Sequence, residues 1–177
     1  FSHGRGYDEQ RFSPLDLINS DNVGGMSLAW YYDLETDRGL EATPLVVDGT
    51  IYTTGTWSIV YAFDAISGKL LWKFDPEVPK EWAVHLCCDA VNDGVARVED
   101  KGYGGTLYGL WMALDGGSSE PVWSVQTTDR SRPYSITGAP RVVKGRVIIG
   151  NGGSELGVRG YVSAYDAASG ELDWRFY

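Results

Sequence analysis

Only two cysteines occur among the 177 residues, Cys87 and Cys88, and they are adjacent. With His3 and His85 as the two histidines, neither a CxxCH haem-attachment pattern nor a zinc-type spacing can be assembled. No apolar run approaches the roughly 18 residues needed to span a bilayer. Basic residues are few and scattered: 15 Lys and Arg stand against 24 Asp and Glu, for a net charge of -9. Such a surface excludes nucleic acid and anionic membrane as partners. Helical periodicity is missing as well. The chain starts at Phe1 without Met or a basic-then-apolar leader, as a removed signal peptide or an excised piece would leave it.

Repetition fills the place of these missing signals. Tyr61-Ala62-Phe63-Asp64-Ala65-Ile66-Ser67-Gly68-Lys69-Leu70-Leu71-Trp72 has a close copy in Ser163-Ala164-Tyr165-Asp166-Ala167-Ala168-Ser169-Gly170-Glu171-Leu172-Asp173-Trp174. A looser copy runs from Trp111 through Asp115 to Trp123. Successive aspartates (64, 115, 166) and successive tryptophans (72, 123, 174) are each 51 residues apart. A fixed period of that size marks a repeat architecture.

Each repeat reads as four short strands. Ala42–Val47 and Thr50–Thr54 are joined at Asp48-Gly49, a two-residue hairpin signal, and are followed by Ile59–Phe63 and Leu71–Phe74. The third repeat matches, with 139–143, a turn at Lys144-Gly145, 146–149, 161–165 and 172–176. The second is degraded, with Val95–Val98 and Thr106–Leu114 around a Gly-rich patch at 102–105. Residues 13–19 are expected to start a short helix capped by Ser13 with Pro14 next. Ser27–Tyr32, with Trp30, reads as the last strand of a repeat whose other strands are missing. The fold class is therefore all-β, with β-propeller blades of four antiparallel strands. A sandwich or up-and-down barrel has no need of a Trp-bearing motif every 51 residues. The divisions are 1–36 for the lead-in and closing strand, then blades at 37–80, 88–126 (degraded) and 137–177. Three blades do not close a ring, since propellers have about 4–8.

Strand order places candidate chemistry at one end. Counting eight residues back from Gly49 and Gly145 gives Glu41 and Thr137; with one inserted residue, the same count from Gly102 gives Asp93. All three stand where an innermost strand begins, facing the axis. Cys87-Cys88 lies in the connection leading to Asp93, and the Gly150–Gly157 loop belongs to the same end. Adjacent Cα atoms are ~3.8 Å apart, below the ~4.4–6.8 Å usual for disulfide partners. Two free thiols are the ordinary reading, and an oxidising compartment makes the strained ring plausible.

These residues resemble the pyrroloquinoline quinone (PQQ)-dependent alcohol dehydrogenases, most closely the periplasmic quinohaemoprotein type. The resemblance runs through Gly4–Pro14, Gly39–Val46, His85–Asp89, Ile136–Val143 and Ile149–Glu155. It implies an eight-bladed propeller of which this chain supplies about three blades. It further implies that Cys87 and Cys88 form a vicinal disulfide flat against one face of the quinone. Glu41 and Thr137 would hydrogen-bond the cofactor rim, Gly153 and Ser154 would approach it, and Glu155 would be a calcium ligand. Calcium would polarise the carbonyl that accepts hydride from a small alcohol. Electrons would pass to an acceptor such as a cytochrome, and in the quinohaemoprotein type haem c lies in a C-terminal part. The general-base Asp, the other calcium ligands and a stacking Trp would lie on later blades, so the 177 residues alone are expected not to turn over substrate. One departure stands out: Asp93 occupies the place of the family's Arg. A non-catalytic propeller scaffold of outer-membrane assembly is the alternative that this departure favours.

Overall fold

The computed structural model describes residues 4 and 6–177. Its strands form three antiparallel sheets of four, each a simple meander. The first sheet holds β1 (Leu45–Val47), β2 (Thr50–Thr54), β3 (Val60–Asp64) and β4 (Leu70–Phe74). The second holds β5 (Ala96–Val98), β6 (Lys101–Gly105), β7 (Leu110–Asp115) and β8 (Pro121–Gln126). The third holds β9 (Arg141–Val143), β10 (Arg146–Gly150), β11 (Val162–Asp166) and β12 (Leu172–Phe176). These are propeller blades, as the repeat implied. The Gly-rich patch at 102–105 is itself most of a strand. Its pairing with β7 runs unbroken from Lys101↔Asp115 to Gly105↔Trp111, so backbone partners override weak strand propensity.

The repeated motif has one geometry in all three blades. After the third strand the Asp side chain closes the turn: Asp64 Oδ1 accepts from Ser67 N (2.7 Å) and Ser67 Oγ (2.6 Å). Asp115 does the same with Ser118 N and Oγ (2.9 and 2.8 Å), and Asp166 with Ser169 N and Oγ (2.8 and 3.0 Å). Each pairing shifts register by one residue just before the Asp, at Ala62/Phe63, Ala113/Leu114 and Ala164/Tyr165.

These hydrogen bonds favour the ionised carboxylate, and with them the Ser67, Ser118 and Ser169 groups hold all three aspartates below their ordinary pKa. A depressed folded-state value means that the stabilisation is complete above the ordinary carboxylate range. It fades as the pH falls below that range through the depressed values. The urea midpoint is therefore expected to drop on acidification from pH 6 to pH 3, and to drop less in the triple variant Asp64→Asn, Asp115→Asn, Asp166→Asn. Equal pH dependence in the two proteins would sink this assignment.

Blades dock through tryptophan. Trp72 Nε1 donates to Gly116 O in the next blade's turn (3.1 Å), and Trp123 Nε1 to Ala167 O (3.1 Å). Behind them lie two apolar seams. Leu45, Val47, Tyr52, Val60 and Ala62 meet Val95, Met112 and Leu114 between the first two blades. Tyr103, Trp111 and Ala113 meet Ile136, Val147, Ile149 and Tyr165 between the second and third.

The lead-in differs from expectation twice. Residues 13–19 form no helix; Ser13 Oγ accepts the Leu15 N–H (3.3 Å), and Leu15, Leu17 and Ile18 are all exposed. Without a buried face, nothing offsets the cost of helix nucleation. Residues 27–32 pair with no strand. Trp30 nonetheless docks like its later counterparts, donating from Nε1 to Ala65 O (3.2 Å). Further upstream, the Tyr7 hydroxyl donates to Val142 O (2.9 Å) and Glu9 pairs with Arg141, so the lead-in also touches the innermost strand of the third blade.

Candidate functional site

Innermost strands begin side by side at one end of the sheets. Thr43 N donates to Asp93 O (3.4 Å), and Asp93 N donates to Thr137 O (2.9 Å). Of the three residues reached by the count, Asp93 is therefore bonded to Thr137, and Glu41 stands two residues before Thr43. Glu41 is exposed, whereas Asp93 and Thr137 are half-buried. Beneath them Asn92, 2% exposed, knits two blades. Its Nδ2 donates to Gly105 O (2.9 Å) and Ser58 Oγ (3.3 Å), its Oδ1 accepts from Gly94 N (3.0 Å), and Thr54 Oγ1 donates to its carbonyl (3.1 Å). A buried amide satisfied on every side fixes the backbone on which Asp93 stands.

The β10–β11 loop joins this end through a short bridge: Gly152 N donates to Ser135 O (2.7 Å) and Ser135 N to Gly152 O (3.3 Å). Thr137 and residues 150–152 line one open cleft as a result. Gly153 is buried and left-handed (φ 108), and a 3₁₀ turn over Ser154–Leu156 presents Ser154 and Glu155 to solvent.

Cys87 and Cys88 are disulfide-bonded with their Cα atoms 3.8 Å apart, and both are exposed. A 3₁₀ segment, Lys80–His85, precedes them, and its Trp82 Nε1 donates to Tyr134 O (3.0 Å), just ahead of Thr137. The Cys88 side is tied by an ion pair between Asp89 and Arg38, three residues before Glu41. The Ala90 N–H, and then the Arg38 guanidinium, hold the Asp89 carboxyl below its usual range. Hydrogen bonds and sequence neighbours therefore gather Glu41, the cysteine ring, Asp93, Thr137 and the 152–155 loop at one end. Trp82, Arg38, Asp89 and Asn92 were not singled out by sequence reasoning. The bonds that tie them to other parts of the fold span 13–52 residues, and no local spacing announces them.

An exposed flat ring, two hydroxyls (Thr137, Ser154) and a glycine-lined loop suit one face and one edge of a planar, oxygen-rich molecule. A metal centre is another matter: among the described residues no group of three or more His, Cys, Asp and Glu could hold an ion. Glu155 offers one carboxylate and no more. No helix among the described residues is long and apolar enough to cross a membrane.

The family model described as PQQ glucose/ethanol/alcohol dehydrogenase, β-propeller domain, matches residues 2–177. Quinohemoprotein alcohol dehydrogenase ADH IIB of Pseudomonas putida is 64% identical over 176 residues, which is 99% of this chain and 26% of that protein. The solved quinohemoprotein alcohol dehydrogenase ADHIIG from Pseudomonas putida HK5 superposes with a TM-score of 0.97 at 58% identity, over 99% of this chain and 26% of its own. That from Comamonas testosteroni gives 0.96 at 48% identity, again over 99% and 26%. The chain spans about a quarter of the length of the curated relatives it matches. From blade geometry, the paired cysteines and these likenesses together, the chain belongs to the PQQ-type glucose/ethanol/alcohol dehydrogenase β-propeller family.

Proposed function

We propose that the chain forms the first blades of a periplasmic, PQQ- and calcium-dependent alcohol dehydrogenase that oxidises small alcohols to aldehydes and hands electrons to an acceptor such as a cytochrome. The observation that carries this reading is the exposed Cys87–Cys88 ring on a segment tied through Trp82 to Tyr134, in the stretch that also holds Thr137 and bridges the 152–155 loop. A bound quinone would supply the two-electron oxidation of the alcohol.

The roles of this chain's residues follow from their chemistry. The cysteine ring, short and without rotatable side-chain ends, excludes water from one face of a planar ligand and stops it tilting. The Thr137 and Ser154 hydroxyls donate or accept at its edge, and Gly153 lets the backbone come close. The Glu41 carboxylate accepts hydrogen bonds and so orients a donor on the ligand. Glu155 would offer one hard oxygen to calcium, the rest of whose ligands would have to come from elsewhere in the whole protein.

Asp93 is the group that opposes this reading. Its carboxylate cannot donate a hydrogen bond and repels a carboxylated ligand, and the observation gives the scaffold alternative its footing. The test is titration of the whole protein with PQQ and calcium, followed by absorbance. Saturable uptake is expected, and Asp93→Arg is expected to tighten it about tenfold by adding charge-assisted hydrogen bonds. No spectral change in either protein leaves the scaffold reading standing.

A further inference from the structure

Residues 80–90 carry the cysteine ring between the first two blades, and both ends of this segment gather on one residue, Trp57. Lys80 Nζ lies 4.0 Å from the centre of the Trp57 ring, and Arg38 Cζ lies 5.3 Å from it. The Trp57 backbone N–H donates to Ala90 O (2.9 Å). Arg38 in turn pairs with Asp89, the residue directly after Cys88.

Three non-glycine residues around this indole are left-handed: Trp57 (φ 61), Ser58 (φ 60) and Asp89 (φ 108). Such backbones persist only where the surroundings hold them. Ser58 is held by its Oγ, which accepts from Leu107 N (3.1 Å) in the next blade. Asp89 is held by its own Oδ1, which accepts from Ala90 N (2.7 Å), and by Arg38. Strain clustered beside one exposed disulfide is a reason to look for a positioning device there.

We propose that Arg38, Asp89 and Trp57 are positioning residues, a latch that holds the Cys87–Cys88 ring in place at the axial end of the blades. Trp57 is the fixed post, buttressed through Ser58 by the second blade. Arg38 clamps the Cys88 side of the ring onto that post and Lys80 steadies the approach from the other side. Because Arg38 comes from the segment that leads to Glu41, the latch also sets the ring relative to that carboxylate. The purpose of the latch rests on the quinone reading above; its existence does not.

The experiment uses the full-length protein and two independent readouts. In the first, a phosphine reductant opens the disulfide and thiol labelling follows the rate. Asp89→Asn keeps an oxygen for Ala90 N–H but loses the charge, and Arg38→Met loses the guanidinium. Both are expected to be reduced about fivefold faster, because local opening becomes easier by the worth of one partly exposed ion pair. Arg38→Lys is expected to stay within about twofold of the parent. So is Arg146→Met, which breaks the ion pair with Asp173 in the third blade and controls for general loosening. The second readout is PQQ affinity, expected to weaken about fivefold in Asp89→Asn and Arg38→Met and to be restored in Arg38→Lys. Parental reduction rates in Asp89→Asn and Arg38→Met overturn the latch. Absence of PQQ uptake by the unmutated protein overturns the quinone reading, and the reduction rates then decide the latch alone.

Discussion

Replacing Gly153 by Ala is expected to cost the whole protein about a hundredfold in PQQ affinity while leaving its blades folded. A Cβ at this position would stand 2.3 Å from Pro133 O and 2.8 Å from Val158 Cγ2, at a φ of 108 that alanine resists. The first obstacle is backbone and cannot swing aside. The same few residues hold the loop: Gly153 O accepts from Leu156 N (2.9 Å) and Val158 N (3.3 Å), and Gly152 bridges Ser135. Relief of the clash therefore opens the Ser135–Gly152 bridge and moves Ser154 and Glu155 by about an ångström, enough to lose about two orders of magnitude where a ligand is held by position. Gly157→Ala is the control. It shares the left-handed backbone (φ 83), but its Cβ would meet open space, so only a few-fold loss is expected from strain of about 1 kcal/mol. Isothermal titration of both variants with PQQ, with circular dichroism to verify folding, separates the two. Binding by Gly153→Ala within about threefold of the parent would remove this loop from the site.

What the sequence made readable, and what it hid, divides by distance along the chain. Asp48-Gly49 and Lys144-Gly145 announce hairpins because their φ values are positive at both positions, which few residue pairs tolerate. Counting eight residues back from those turns reached Glu41 and Thr137, each four residues ahead of the strand it was meant to open, because β1 and β9 are only three residues long. β6 stayed hidden because Gly102, Gly104 and Gly105 carry no strand propensity of their own; its ladder with β7 makes it a strand. The reading of residues 27–32 was half right for the same reason. Trp30 carries its docking information in its own side chain, whereas a strand needs a neighbour's edge and found none. The disulfide was named through likeness to a family, since adjacency alone favoured two free thiols. Its supports, Arg38 and Trp57, are 51 and 33 residues from their partners Asp89 and Ala90 and leave no pattern to read.

The largest effect on stability is expected at the second seam, with Trp111→Ala destabilising the protein by about 3–5 kcal/mol in urea unfolding. Trp111 is fully buried among Tyr103, Ile136, Val147, Ile149 and Tyr165, so alanine leaves a cavity between two blades that neither sheet can close alone. Trp123, half-buried in the same seam, provides the comparison that isolates the indole N–H. Its Nε1 donates to Ala167 O, and its ring lies where a Cβ on Gly170 would come within 2.7 Å. Trp123→Phe therefore loses a hydrogen bond worth about 1 kcal/mol in addition to part of a ring. The Trp111 N–H, by contrast, is buried with no hydrogen-bond partner among the described residues. Removing it recovers about 1–3 kcal/mol of desolvation, which offsets some of the lost packing in Trp111→Phe. The seam thus predicts an inversion: Trp111 is the costlier residue to truncate to alanine, and Trp123 the costlier per atom removed when changed to phenylalanine. Similar losses for the two phenylalanine variants, or a loss below about 1 kcal/mol for Trp111→Ala, would mean that docking rests on the turns and not on the indoles.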